Sequence, residues 1–219
     1  MFAKIKEIFE SIQGEGIDIG KKQVFVRFCH CNLNCRFCDT DFSENTGYMN
    51  LSEEELFDKL KKTNADTISL TGGEPLLQVE FLHSFLSKYK KFLNKKIYLE
   101  TNGVLYEKLS KIIDLIDEIG ADIKIKSSTG EENRFYDNEK FLAVSGCKAF
   151  AKVVFTEDIK EDEINSVLKL VIKFNIPLIL QPKSPLSGSI PYMEIYNKFY
   201  EKYKNIRLIP QTHKFLGID

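Results

Sequence analysis

The amino-acid sequence predicts an α/β fold, a partial (open) βα barrel of about six to seven parallel strands. Three observations predict it. Short β-branched runs alternate with longer amphipathic ones along the chain, the pattern of right-handed βαβ units. The units fall short of the eight that close a barrel. Polar, often glycine-bearing segments follow one strand after another, and parallel strands bring all such points to one rim.

The expected strands are QVFVRFCH (23–30), DTISL (66–70), KKIYL (95–99), ADIKI (121–125), FAKVVF (150–155), IPLIL (176–180) and NIRLI (205–209). Between them, LSEEELFDKLKK opens with the capping-box pair Ser52 and Glu55. In 75–93, Leu77, Phe81, Phe85, Leu86, Tyr89 and Phe92 recur at helical spacing, and 161–174 repeats the pattern. After successive strands come Cys31 with Cys35 and Cys38, then TGGEP (71–75), ETNG (100–103), KSSTG (126–130), QPKS (181–184) and PQTHK (210–214). Turn chemistry alone explains any one of these loops; six in a row predict one active site on the rim. No linker or internal repeat interrupts the pattern, so residues 1–219 are expected to form one domain.

A chain of 219 residues buries an adequate core without staples. Its 31 Lys and Arg nearly cancel 32 Asp and Glu, so no basic footprint for nucleic acid is present and a small-molecule substrate is expected. No stretch approaches the roughly eighteen apolar residues of a membrane span, and the start lacks a signal-like apolar region. The expectation is a cytoplasmic protein with no membrane partner.

Four of the five cysteines fall at 29, 31, 35 and 38. In a reducing cytosol, and with an odd total, such a cluster reads as a metal site rather than as disulfides. Thiolates suit zinc or an iron–sulfur cluster, and spacing alone does not separate the two. A structural zinc needs a fourth ligand, from Cys29 or His30; an iron–sulfur cluster held by three cysteines keeps one iron open. Strand alternation puts residues 25, 27, 29 and 31 on one face, with Cys29 a layer below the site.

Cys31-x3-Cys35-x2-Cys38, with Phe37 before the last cysteine, and TGGEP at the next strand end together resemble the radical S-adenosylmethionine enzymes. The resemblance implies a radical-SAM core in which Cys31, Cys35 and Cys38 bind a [4Fe–4S] cluster. The open iron would chelate S-adenosylmethionine, whose cleavage yields a radical that takes a substrate hydrogen. Phe37, Asp39, Gly72, Gly73, Glu74, Glu100, Asn102, Lys124, Ile125, Lys126, Ser127 and Gln181 are the expected cofactor contacts. Gly72 and Gly73 would admit a ligand close to the backbone, Glu74 would accept from an ammonium group, and Lys124 and Lys126 would face one side of a strand.

A narrower resemblance, to the 7-carboxy-7-deazaguanine synthases of 7-deazapurine (queuosine or archaeosine precursor) biosynthesis, rests on FESIQGEG (9–16), Arg27, CDT (38–40), TGGEP, ETNG and the terminal QTHKFLGID. It implies a radical rearrangement of 6-carboxy-5,6,7,8-tetrahydropterin with loss of ammonia. Thr40 would ligate a Mg²⁺ ion that also holds the substrate, as a hard cation prefers oxygen. Substrate contacts would come from Ile12, Gln13, Gly14, Glu15, Arg27, Thr71, His213 and the carboxylate of Asp219. Arg27 suits a carboxylate because its planar guanidinium pairs with it bidentately. An electron donor such as flavodoxin or ferredoxin and a homodimer are also implied. Two residues depart from the family pattern: His30 stands where glycine is usual, and Cys29 is extra. Two other readings share some of these features, an activase that places a glycyl radical on a partner protein, and a zinc-stabilised binding module.

Overall fold

The β-branched runs become parallel strands because helical segments return the chain to the same edge of the sheet between them. The structure, a computed structural model, describes residues 1–218 apart from 39, 44, 46 and 189. The strands are β1 (Phe2–Ile12), β2 (Lys22–Phe28), β3 (Met49–Ser52), β4 (Thr67–Gly72), β5 (Lys96–Thr101), β6 (Glu118–Asp122), β7 (Ala149–Phe155), β8 (Leu178–Pro182) and β9 (Ile206–Leu208). They form one sheet in the order β3-β1-β2-β4-β5-β6-β7-β8-β9. From β2 through β9 every neighbouring pair is parallel, whereas β1 runs antiparallel to both β2 and β3. The open, seven-stranded parallel array thus carries a two-stranded antiparallel extension that the sequence reading did not anticipate. Only Ala3 and Ile5 of β1 are buried, and FAKIKEIFESI lacks the apolar density of the parallel strands.

The helices are α1 (Glu53–Lys61), α2 (Val79–Leu93), α3 (Tyr106–Leu109), α4 (Lys126–Thr129), α5 (Phe135–Ser145), α6 (Glu161–Phe174), α7 (Tyr192–Tyr200) and α8 (Thr212–Leu216). Ser52 and Glu55 form the expected capping box at the start of α1. Residues 75–78 are a 3₁₀ turn, so helical phase begins only at Val79; Leu76 is buried in place of Leu77, and Phe92 is 61% exposed. The main core fills the space between sheet and helices, with Phe28, Phe85, Phe141, Phe155 and Phe199 wholly buried. On the opposite face Tyr98, Phe150 and Ile179 form a small second cluster under Ile17 and Ile209.

The strand expected at 121–125 lies earlier, at Glu118–Asp122. Gly120 at its centre lowers its apparent strand propensity, yet only glycine fits there: an added Cβ would stand 2.5 Å from the Tyr98 hydroxyl. Lys124 and Lys126 therefore follow the strand and do not alternate on it. Among the described residues no helix is long and apolar enough to cross a membrane.

Candidate active site

At the carboxyl ends of the parallel strands lies a cavity of about 800 Å³, a volume suited to small ligands. Cys31, Cys35 and Cys38 line it together with Phe37 and Thr40. The cysteines reach it because His30 takes a left-handed φ of 69°, the conformation a glycine would adopt there. That turn breaks strand alternation: Cys29 is fully buried in the fold and lies outside the cavity wall, whereas Cys31 lies on it. The expectation that Cys29 points with Cys31 is thereby corrected. The His30 backbone is held on both sides, its N–H donating to the Phe42 carbonyl (2.8 Å) and its carbonyl accepting from Glu74 N (2.8 Å).

The TGGEP loop packs against this turn. A Cβ on Gly73 would sit 2.0 Å from the His30 carbonyl oxygen, and one on Gly72 would sit 2.4 Å from backbone atoms of Phe28. The glycines thus admit the neighbouring chain. Glu74 is wholly buried; its carboxylate accepts from Leu76 N (3.1 Å), Asn102 N (2.9 Å) and the Thr101 hydroxyl. It latches the TGGEP loop to ETNG and is absent from the cavity wall, correcting its expected role as acceptor for a ligand's ammonium group.

Burial pushes the Glu74 carboxyl up to about 7, although its backbone and hydroxyl donors act against the rise. Between the ordinary carboxylate value and about 7 the folded chain keeps a proton that the unfolded chain releases, so stability falls as pH rises through that window. The expected contribution is about 3 kcal/mol between pH 5 and 8. Urea melts of Glu74→Gln should lack this component while showing a pH-independent loss of about 1 to 3 kcal/mol, since an amide cannot accept from both N–H groups.

The wall opposite the cysteine loop is built from β1, β2, the strap at 13–21 and the C-terminal segment. Arg27 donates to Glu7 Oε1 (2.6 Å), its partner in the β1–β2 register, and lies 4.9 Å above the Phe9 ring. Gln13 Oε1 accepts from Glu15 N, and Gln13 Nε2 donates to Glu100 Oε1 at 3.0 Å. Thr71 donates to Glu100 Oε2 at 2.8 Å. Glu15 bonds Lys152 and Gln211, and Lys152 also reaches Asp122 at 3.1 Å. Asp122 in turn accepts from Lys124 (2.7 Å), whose ammonium lies 5.3 Å from the Phe37 ring centre. Thr212 N donates to the Gly14 carbonyl and brings His213 to the cavity.

Of the expected site residues, Cys31, Cys35, Cys38, Phe37, Thr40, Gly72, Gly73, Glu100, Asn102, Lys124, Gln181, Ile12, Gln13, Glu15, Arg27, Thr71 and His213 line this one cavity. Gly14, Ile125, Lys126 and Ser127 do not. Ile125 is fully buried, Lys126 turns outward to Glu132, and Ser127 N donates to Glu163, because the chain leaves the sheet at Asp122 and enters α4. Asp39 and Asp219 lie outside the described residues. Asp122, Lys152 and Gln211 were not anticipated. Charged residues set among apolar ones in a strand-like run, Asp122 in ADIKI and Lys152 in FAKVVF, are the signal that finds the first two, and β6–β7 register sets them side by side.

The donor set fits an iron–sulfur cluster: three thiols on one wall, with no fourth cysteine beside them. Burial pushes the Cys31 and Cys35 thiols up, Cys35 to about 11, while Lys124 acts to lower both. A cluster would displace the thiol protons. Among the described residues no three His, Cys, Asp or Glu side chains are already gathered tightly enough to hold a metal ion, so cluster loading would draw the loop inward. Asn102 Oδ1, Asp122 Oδ1 and Gln181 Oε1 are buried acceptors on the cavity residues with no hydrogen-bond donor among the described residues. S-adenosylmethionine, with its ammonium group, ribose hydroxyls and exocyclic amine, brings donors of the matching kind.

The pattern of the radical SAM superfamily matches residues 25–142. The 7-carboxy-7-deazaguanine synthase of Geobacter sulfurreducens is 34% identical over 98% of this chain and 97% of its own length. That of Archaeoglobus fulgidus is 35% identical over the whole of both chains. A crystal structure of QueE from Escherichia coli shares the fold, with a TM-score of 0.68 at 20% identity over 97% of this chain and 95% of that one. Full-length relatives at this identity, and a superfamily match that spans the cysteine loop and the next three parallel strands, leave one assignment: the chain belongs to the radical SAM superfamily and, within it, to the 7-carboxy-7-deazaguanine synthases.

Proposed function

We propose that the cavity is where the chain converts 6-carboxy-5,6,7,8-tetrahydropterin to 7-carboxy-7-deazaguanine with release of ammonia, residues 1–219 acting as one catalytic domain. The observation that carries this reading is convergence. The three motif cysteines share one cavity with a Gln13–Glu100–Thr71 array supplied by the N-terminal strap and two strand ends. When bound, the [4Fe–4S] cluster and S-adenosylmethionine supply the radical that takes hydrogen from the substrate.

The chain's own residues divide the remaining tasks. Cys31, Cys35 and Cys38 hold the cluster, while Phe37, Gly73, Asn102, Lys124 and Gln181 surround S-adenosylmethionine. Arg27 binds the substrate carboxylate with the donors left over from its Glu7 bond, its plane set by Phe9. Glu100 accepts ring N–H groups, its position fixed by Gln13, Thr71 and Tyr98. The C-terminal segment, with His213, shields the substrate from water. Thr40, beside Asp41 and Ser43 on the cavity wall, supplies a hard oxygen for Mg²⁺. A small redox protein such as flavodoxin or ferredoxin delivers the electron, the reaction runs in the cytoplasm, and a second copy of the chain covers part of the open sheet.

The test is anaerobic reconstitution with iron and sulfide, then incubation with S-adenosylmethionine, reductant, Mg²⁺ and the pterin, with mass spectrometry of the products. Formation of 7-carboxy-7-deazaguanine is expected. Methionine and 5′-deoxyadenosine without it would overturn the substrate and bring the activase reading forward. In the same assay Thr40→Ala should keep its cluster absorbance and lose the rate increase that Mg²⁺ gives; an unchanged Mg²⁺ response would remove Thr40 as a ligand.

A further inference from the structure

Arg36 stands inside the cysteine motif, between Cys35 and Phe37, yet the reaction described above gives it no task. It is the residue on which the loop is anchored. Its guanidinium donates through Nη2 to the Ser127 carbonyl and through Nε to the Ser128 carbonyl (3.0 Å), and its backbone N–H donates to the Thr129 carbonyl (2.9 Å). These are the last three carbonyls of α4, which the helix itself leaves without N–H partners. Two residues earlier, Asn34 N donates to Glu131 Oε1 at 3.0 Å. α4 is fixed at its other end, where Ser127 N donates to Glu163 Oε1 (2.9 Å) in the first turn of α6. A continuous hydrogen-bonded path thus runs from the cysteine loop through Arg36 and α4 to a helix of the main core.

We propose that Arg36 is a positioning residue that clamps the cysteine loop to α4, so that loading of the cluster and binding of S-adenosylmethionine beside residues 122–124 are coupled. The proposal rests on the assignment of those two cofactors to this cavity. Cys31, Cys35 and Cys38 lie on either side of the clamp, and Lys124 lies two residues before α4. Ordering either segment therefore lowers the cost of ordering the other, and the coupling is reciprocal.

Arg36 is an exposed residue, so its replacement is expected to leave the fold intact. Hydrogen exchange of the full chain before cluster loading reads the clamp without either cofactor. In Arg36→Gln, exchange at 31–38 and 127–131 should quicken by about tenfold while the β-sheet is unchanged, the loss of two charge-assisted bonds. After anaerobic reconstitution, iron per chain should fall, and the S-adenosylmethionine concentration that perturbs the spectrum of the reduced cluster should rise by about tenfold. Arg36→Lys, which keeps the charge and one donor direction, should recover part of each effect. Local exchange, iron content and the titration midpoint all within twofold of the wild type would overturn the proposal. Failure of the wild-type chain itself to take up iron and sulfide would instead overturn the cofactor assignment on which it rests.

Discussion

Cys35→Ala is expected to abolish both the iron–sulfur chromophore and product formation while leaving the chain folded. Its thiol is half-buried on the cavity wall, and its removal deletes one sulfur at a cost of about 1 kcal/mol, within what a chain of this size tolerates. The functional loss is out of proportion because two remaining thiols cannot hold a four-iron cluster in a defined orientation. Cys29→Ala is the matched control. Cys29 is the more buried of the two, so its replacement should cost at least as much stability and yet leave the brown colour and turnover in place. Absorbance near 400 nm, iron content and circular dichroism of both variants after the same anaerobic reconstitution decide the matter. Loss of the cluster in Cys29→Ala with retention in Cys35→Ala would make Cys29 a cluster ligand in place of Cys35, whereas a wild-type chain that stays colourless and binds zinc would return the zinc reading.

What could be read in the sequence was what local spacing encodes. The cysteine triad, TGGEP and ETNG each lie within a few residues, and parallel topology then carries them to one rim, so the cavity follows from motif order and strand direction alone. What depended on register was not legible. Asp122 and Lys152 are 30 positions apart and meet only because β6 and β7 pair them directly. Arg27 was expected to await a carboxylate, but Glu7 faces it across the β1–β2 register, in a strand whose half-solvated face disguised it. Glu74 misled because a motif glutamate reads as a ligand contact, whereas its neighbours supply enough N–H donors to satisfy it inside the fold. Lys126 misled because a strand end misplaced by three residues sends its side chain to the opposite surroundings.

Lys152→Met is expected to be the most destabilising single replacement on the cavity side. The ammonium lies between Glu15 and Asp122 with about a seventh of each side chain exposed, so its removal leaves two carboxylates without their shared cation. Breaking a buried pair in this way costs about 3 to 5 kcal/mol, whereas the methionine conserves volume and adds no cavity. For a chain of this length the melting temperature should fall by roughly 10 °C. The pH dependence identifies the cause. In the wild type, burial pushes the Glu15 carboxyl up, but the Lys152 charge and the bonds from Lys152 and Gln211 outweigh it and hold the group at about 2. Asp122 is likewise held below its ordinary value by Lys124 and Lys152 against the effect of burial. Both groups therefore add stability that is fully present above the unfolded carboxylate value and is lost as pH falls towards their folded values. In Lys152→Met burial gains the upper hand, and protonation then relieves the variant as the pH drops. The gap between wild-type and variant melting temperatures should narrow from pH 8 to pH 5. A gap that is constant with pH would mean that the loss comes from packing, and a loss under about 2 °C would show that Gln211 and solvent satisfy Glu15 without the lysine. The strap carrying Gln13 is tied down through Glu15, so the same variant, assayed at a temperature where it stays folded, should raise the KM for the pterin more than it lowers kcat.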